Sequence, residues 1–148
     1  MIIREMRAED YDRVYALWMS TPNMGFNDVD DSRAGIEKFL RRNPGLCFIA
    51  QREEDGQVLG VVLAGEDGRR GYIYHMAVAA AVRRQGIGTL LTNRCLKALE
   101  ERGITKVALL VFCRNEAGNA FWEKQGFVLR EDIAYRNREL VRLTRIDT

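Results

Sequence analysis

The sequence predicts an α+β fold, with a single mixed, mostly antiparallel sheet that contains a central parallel strand pair and is flanked by about four helices. Residues 46–78 hold three apolar runs separated by turn residues at 54–56 and 67–68, a pattern typical of an antiparallel meander. Residues 86–112 hold an amphipathic helix and then an apolar run, so the strands flanking this helix should be parallel neighbours. Because 148 residues suffice for one core and are too few for two, we expect residues 1–148 to form one domain.

Hydrophobic periodicity and turn residues locate the individual elements. We expect helices at residues 9–20, 86–102 and 116–124, and one that runs from a cap at Asp31 or Ser32 to Asn43. We expect strands at residues 2–6, 46–52, 58–64, 71–78 and 106–112, and a closing antiparallel hairpin at 127–131 and 135–143. Asn115 should cap the last helix, and Gly103 and Gly126 should end the last two helices in a left-handed conformation. The run at 106–112 is continuously apolar, which predicts a strand buried on both faces.

Charge balance and cysteine usage exclude several classes of function. The 23 basic and 21 acidic residues leave a net charge of +2, so no global field favours a polyanion, and we expect no nucleic-acid partner. Cys47, Cys95 and Cys113 are odd in number and widely spaced, which predicts neither disulfides nor a metal site and favours a reducing, cytoplasmic setting. The N-terminus is charged and no apolar run is long enough to cross a bilayer, so we expect no membrane partner.

The segment from residue 83 to residue 89 has the composition of an anion site. It reads Arg83, Arg84, Gln85, Gly86, Ile87, Gly88 and Thr89, and it follows a strand and opens a helix. The first amides of a helix have no partner within the helix and lie at the positive end of its dipole. A Walker loop would need Gly-Lys-Ser/Thr after the first glycine, and a dinucleotide-binding motif would need a third glycine where Leu91 stands. We therefore expect neither of these nucleotide-binding motifs.

Two motifs together resemble the GNAT superfamily of N-acetyltransferases. The family's acetyl-CoA loop reads Arg/Gln-x-x-Gly-x-Gly/Ala, which Arg83, Gly86 and Gly88 match after an apolar strand end. The second signature is an Asn followed by a helix that ends in aromatic-x-x-x-Gly-Phe, and residues 115–127 match it. The order of elements resembles the family's over nearly the whole chain, and the closest branch in pattern is that of the ribosomal-protein N-terminal acetyltransferases.

The resemblance implies acetyl-CoA as cosubstrate and a splayed gap between the strands at 71–78 and 106–112. The pantetheine arm would lie in this gap against the backbone of Met76, Ala77 and Val78. The amides of residues 85–89, with the two arginines before them, would hold the pyrophosphate. The resemblance also assigns Asn115, Asn119 and Trp122 to the cofactor side, although helix capping explains the two asparagines equally well.

The sequence departs from the family at the positions that usually carry acid and base groups. Trp122 stands where the family often has a tyrosine acid, and no carboxylate occupies the candidate base positions on the two splayed strands. We therefore expect Tyr74 and Tyr72 to orient a water relay for the amine, on the same face as Met76. Strand alternation puts His75 on the opposite face, barring a bulge, and a structural role is favoured for it. Cys113 is interpreted as a small apolar filler, so direct attack without a covalent intermediate is expected.

Substrate recognition in the family usually involves the loop between the first two helices. Here we expect Asn27, Asp28 and Asp30 to contact the substrate, and the acidic group of Asp28, Asp30 and Asp31 would favour a cationic amine on a small molecule or a peptide. A solvated loop and a helix cap explain these residues equally well. Arg136, Arg138 and Arg142 in the expected hairpin would instead favour a substrate with a carboxylate. A regulatory module that binds acyl-CoA without turnover is the alternative to an enzyme. The sequence leaves a homodimer open.

Overall fold

The computed structural model describes residues 1–148 and contains four α-helices and seven strands. The helices are α1 (Tyr11–Met19), α2 (Arg33–Arg42), α3 (Ile87–Glu101) and α4 (Glu116–Lys124). The strands are β1 (Ile2–Glu5), β2 (Gly25–Asn27), β3 (Phe48–Gln51), β4 (Val58–Glu66), β5 (Gly71–Val78), β6 (Val107–Leu109) and β7 (Arg145–Asp147). None of the helices is both long enough and apolar enough to cross a membrane.

The main sheet has five strands in the order β1-β3-β4-β5-β6. Only β5 and β6 pair in parallel, because α3 connects them as a crossover. The predicted fold class, a mixed and mostly antiparallel sheet with one parallel pair and four helices, is confirmed. A second, two-stranded sheet forms where β2 pairs with β7.

Apolar residues on the two faces of the sheet form two separate core layers. On one face, α1 and α2 cover β4 and β5 with fully buried side chains such as Trp18 and Val14. On the other face, α3 packs its stripe of Leu91, Cys95 and Leu99 against the sheet, and α4 adds to the same layer. A strand with helices on both sides exposes neither face, and β4 is accordingly buried along almost its whole length.

The predicted helix ends are confirmed. The Ser32 hydroxyl accepts the Gly35 N–H at 3.1 Å at the start of α2, and the Asn115 side chain accepts the Gly118 N–H at 2.9 Å at the start of α4. Gly103 and Gly126 follow α3 and α4 with φ of 79° and 89°. A residue with a Cβ is strained at such angles, which is why glycine ends these helices.

Two expectations for the C-terminal third of the chain are wrong. The strand expected at 106–112 is limited to the three residues of β6, and Leu110 is 66% exposed, because β6 lies at the edge of the sheet. The hairpin expected at 127–131 and 135–143 contains no strand, and β7 pairs with β2 instead. A strand-like side-chain pattern becomes a strand only where a neighbouring edge accepts its backbone hydrogen bonds. Residues 110–112 and the two segments of the expected hairpin pair with no edge.

A β-bulge in β5 changes which of its residues share a face. Between Tyr74 and Ala77, two residues of β5 lie opposite a single residue of β4, and the first of them, His75, has φ of 52°. Strict alternation predicted that Met76 would share a face with Tyr74 and that His75 would not. The bulge reverses both predictions, so His75 lies with Tyr74 on the α1/α2 face and Met76 packs on the α3/α4 face.

The first turn of the chain is held to the sheet by a buried carboxylate. Asp10 is 2% exposed, and its two oxygens accept hydrogen bonds from the Arg4 and Arg13 guanidinium groups and from the Arg7 N–H. Burial opposes ionisation of this carboxyl group, but the hydrogen bonds from Arg4 and Arg7 outweigh it and hold the pKa of Asp10 below its ordinary value.

We expect Asp10→Asn to lower the free energy of unfolding at neutral pH by about 2 kcal/mol, the scale of hydrogen bonds to charged groups. The lowered pKa in the folded state means that this stabilisation is complete above the ordinary value of 3.8 and is lost as the pH falls through the folded value. Urea unfolding over a pH series measures the difference between the two proteins. Asp12→Asn is the matched control, since that carboxylate is 81% exposed, and a difference independent of pH would contradict the prediction.

Candidate functional site

The parallel strands β5 and β6 pair over only part of the length of β5. Gly71, Tyr72 and Ile73 lie opposite the three residues of β6, and from Tyr74 to Val78 the edge of β5 has no strand beside it. The side chain of Asn119 in α4 donates to the Phe112 carbonyl at 3.0 Å, which ties the chain beyond β6 to α4 instead of to β5. The two strands therefore leave an open gap, as the family resemblance implied.

Backbone groups at the end of β5 face this gap. The Ala79 N–H donates to the Leu59 carbonyl at 2.8 Å, so the residue before it, Val78, turns its own N–H and C=O away from β4. The Arg83 Nε donates to the Val78 carbonyl at 3.1 Å from that side. Ala77, the residue before Val78, lies opposite Val61 of β4.

The start of α3 follows directly after this edge and has the free amides that the sequence predicted. Gly86 caps the helix with φ of 85°, and a Cβ built on it meets no atom within 4 Å. Its carbonyl accepts the Leu90 N–H at 3.0 Å, whereas the amides of Ile87 and of the two residues after it donate to no protein group. Arg83 and Arg84 are exposed beside them, so the helix start combines unpaired donors with two cations.

Gly88 has a packing role that the sequence did not reveal. A Cβ on Gly88 would lie 3.1 Å from the Phe121 ring of α4, which is closer than such contacts normally come. Gln125, near the end of α4, donates to the Thr89 hydroxyl at 3.0 Å. The absence of a side chain at Gly88 thus lets α4 pack closely against the first turn of α3.

The α4 residues that the resemblance assigned to the cofactor have structural partners. The Asn115 side chain caps α4, and the Asn119 amide donates to the Asn115 and Phe112 carbonyls. Trp122 is 9% exposed, and its ring packs edge-on against Phe121 at 4.9 Å. Indole in this core position cannot supply a proton to a leaving thiolate.

Tyr72 and Tyr74 lie together on the α1/α2 face beside the gap. Their ring centroids are 6.4 Å apart, and the Phe39 ring packs edge-on against Tyr74 at 5.7 Å. Burial raises the pKa of the Tyr74 phenol above its ordinary value, and Tyr72 and Tyr135 raise it further. Tyr74 is therefore a neutral hydrogen-bonding group at physiological pH and not a phenolate base.

The predicted substrate loop is built around β2 and uses its polar side chains internally. The Asn27 side-chain oxygen accepts the Val29 and Asp30 N–H groups, and the Asn27 amide donates to Asp30 at 2.9 Å. Asp28 accepts the Thr144 N–H beside β7. Asp28 and Asp30 are exposed at the surface of this loop.

One pair of residues at the site was missed by sequence reasoning. Asp31 Oδ1 lies 2.6 Å from His75 Nε2, and the imidazole lies on the same face as Tyr74 because of the bulge. The acidic character of residues 27–31 was visible in the sequence. The bulge was not, since no glycine or proline marks it.

Comparison with known families identifies the architecture. The model of the Acetyltransferase (GNAT) family matches residues 11–127, which is most of the chain. The chain belongs to the GNAT family. The matched residues include β5 with its open edge, the start of α3 and the whole of α4.

Individual relatives agree with this assignment to the GNAT family. An acetyltransferase of Sodalis glossinidius is 30% identical over 141 residues, covering 95% of this chain and 96% of the relative. Ard1 from Thermoplasma volcanium is 25% identical, with a TM-score of 0.76, over 87% of this chain and 83% of that one. A Mycobacterium tuberculosis protein in complex with CoA shares the fold at 19% identity and a TM-score of 0.71, over 88% of this chain and 74% of that one.

Membership of the GNAT family gives the class of reaction. Proteins of the family use acetyl-CoA as acetyl donor, and the curated relatives are acetyltransferases, so this protein is an acetyl-CoA-dependent acetyltransferase. The identity of the acceptor is a separate question, which depends on the residues around the gap.

Proposed function

We propose that the protein transfers the acetyl group of acetyl-CoA directly to a primary amine, carried by a small molecule or by a protein N-terminus or lysine. The observation that carries this proposal is the continuity between the open edge of β5 and the free amides of α3. A ligand with an extended, amide-containing arm and a pyrophosphate at one end would satisfy both sets of groups at once.

In the proposed complex, the pantetheine arm pairs with the backbone of Met76 and Val78 like an added strand. The amides of residues 85–89 hold the pyrophosphate at the start of α3, and Arg83 and Arg84 add charge-assisted donors. Arg83 is already directed towards the Val78 carbonyl, which supports a position between the arm and the phosphates.

Acetyl transfer to an amine requires a polarised thioester carbonyl, a thiolate that can leave and an amine that has lost a proton. A backbone N–H on the open edge of β5 would polarise the thioester carbonyl and stabilise its developing negative charge. The leaving thiolate has an ordinary pKa of about 8.5, so it can depart without a strong acid, and the core position of Trp122 is compatible with turnover. The amine must still lose a proton, and a lysine with a pKa near 10.4 needs an acceptor more than an α-amine near 7.8 does.

Tyr74 and Tyr72 are proposed to orient water for that proton transfer. A neutral phenol can both donate to and accept from a water molecule, and the raised pKa of Tyr74 keeps the phenol neutral. Asp28 and Asp30 on the neighbouring loop would attract a positively charged acceptor to this face of the gap.

A regulatory module that binds acetyl-CoA with little turnover is the second candidate. The observation that favours it is Trp122, a core residue at the position where the family often has an acid. Such a module would retain the open edge of β5 and the free amides, because both bind the cofactor and neither moves a proton.

Release of free thiol from acetyl-CoA, measured against a panel of amines, separates the two candidates. We expect release that depends on the amine, together with an N-acetylated product detectable by mass spectrometry. The panel contains an α-amino peptide, a lysine peptide and a small diamine, each with its acetylated form as blank. Acetyl-CoA binding without amine-dependent release would overturn the enzymatic proposal in favour of the module.

Replacement of Gly86 tests where the phosphates bind. We expect Gly86→Glu to abolish acetyl-CoA binding in calorimetry, because the carboxylate would occupy and repel the anion site at the start of α3. Gly103→Glu is the matched control, since Gly103 has a similar φ of 79° and a similarly open Cβ position at the other end of the same helix. Both variants carry a left-handed strain of about 1–2 kcal/mol, so equal affinities in the two would argue against this placement.

Replacement of Tyr74 tests the water relay. We expect Tyr74→Phe to lower kcat while the acetyl-CoA affinity stays unchanged, because only the hydroxyl is removed. Loss of one hydrogen bond of about 1.4 kcal/mol to the water corresponds to roughly a tenfold lower rate. The ring, which packs against Phe39, is retained in the variant. Steady-state kinetics over a pH series would show the effect, and a wild-type kcat in the variant would remove Tyr74 from the relay.

A further inference from the structure

Asp31 and His75 form a carboxylate–imidazole pair beside the open edge of β5. Asp31 is 6% exposed, and its Oδ1 lies 2.6 Å from His75 Nε2. Its Oδ2 accepts the Asn27 N–H at 2.8 Å, and its carbonyl accepts the Tyr11 hydroxyl at 2.7 Å. The carboxylate is therefore fixed by β2 and β5, and the backbone of Asp31 is fixed by α1.

The imidazole ring is fixed on its other sides by aromatic residues and by its own backbone. The Trp18 Nε1 donates to the His75 carbonyl at 3.0 Å, and the Trp18 and Phe26 rings pack edge-on at 5.2 Å and 4.7 Å. These contacts hold the bulge and aim Nε2 at Asp31. They leave the ring little freedom to rotate.

The second ring nitrogen of His75 is open. Nδ1 makes no hydrogen bond, and no buried side-chain nitrogen or oxygen in the protein lacks a partner, so Nδ1 is in contact with solvent. With the proton on Nε2 directed at Asp31, Nδ1 carries the lone pair. An imidazole held in this way is a proton acceptor oriented by a carboxylate.

The location of the imidazole connects it to the acetyl-transfer site. His75 lies in the part of β5 that has no strand of β6 beside it, three residues before Val78, whose backbone groups face the gap. The ring lies on the face that carries Tyr74, at 6.4 Å between centroids. Of the side chains in contact with the ring, Asp31 and Tyr74 are ionisable, whereas Trp18 of α1 and Phe26 of β2 are uncharged. Tyr11 of α1 is a further ionisable group that is bonded to the Asp31 carbonyl.

We infer that His75 accepts the proton that the amine loses before it attacks the thioester, and that Asp31 is the positioning residue for His75. This inference rests on the proposed function and names the proton acceptor that the family positions do not supply in this chain. Tyr74 and its water would connect the amine to Nδ1 where the two are not in direct contact. Asp31 then stabilises the imidazolium that forms.

The proposed step balances in protons and electrons. The ammonium group gives one proton to Nδ1, and the lone pair that it recovers forms the N–C bond to the thioester carbon. The C–S bond breaks as the tetrahedral intermediate collapses, and its electron pair leaves with sulfur. The second amine proton passes to the thiolate, which gives free CoA, and His75 returns its proton to solvent.

The decisive variant is His75→Asn, because asparagine tolerates the positive φ of the bulge but cannot accept a proton. We expect an unchanged acetyl-CoA affinity and a kcat about 100-fold lower at neutral pH, the lower end of the range for general base catalysis. The activity of the variant should rise with pH until the amine itself is neutral. A purely structural role would lower stability without moving the pH profile.

Asp31→Asn provides the second measurement and keeps the test valid if the first variant fails to fold. Loss of the carboxylate should lower kcat and leave the acetyl-CoA affinity unchanged, because the imidazole is no longer held in its orientation by Asp31. Asp12→Asn, which removes a surface carboxylate of α1 that pairs with Arg33, is the matched control and should keep the wild-type kcat. Wild-type kcat in both His75→Asn and Asp31→Asn would overturn this inference alone. A wild-type protein without amine-dependent thiol release would overturn the proposed function and this inference together.

Discussion

The separation of β5 from β6 after Ile73 is the constraint on which the rest of the site depends. Two parallel strands that stayed paired would satisfy each other's backbone groups and leave nothing for a ligand. Here β6 is only three residues long, and Asn119 draws the chain after it towards α4. At the other end of β5 the strands are held together, because Gly71 lets Leu99 and Val107 pack against the backbone.

The start of α3 continues that open edge with donors of a different kind. A helix begins with amides that its own turns cannot satisfy, and Gly86 keeps them accessible because it has no side chain. Gly88 works differently, since the missing side chain is what allows Phe121 to approach. One glycine therefore leaves space for a ligand and the other leaves space for α4, although the two look equivalent in the sequence.

Proton transfer is where this chain differs from the usual arrangement of its family. Trp122 belongs to the core, and the raised pKa keeps Tyr74 neutral, so neither residue can act as an ionised acid–base group. The bulge in β5 compensates by turning His75 towards Asp31 and the α1/α2 face. The same backbone irregularity thus brings a titratable side chain to the face beside the gap, which agrees with the tendency of bulges to occur beside active sites.

The sequence by itself determined the sheet, the helices with their caps, the anion-binding composition of residues 83–89 and the family resemblance. These features depend on local periodicity, on helix-end chemistry and on short motifs, all of which are contained within a few neighbouring residues. Only the tertiary structure decided the face of His75, its pairing with Asp31 across 44 positions of the chain, and the pairing of β7 with β2 in place of a hairpin. The physical reason is that a single bulge inverts every side chain beyond it, and that a strand forms only where another edge receives its hydrogen bonds.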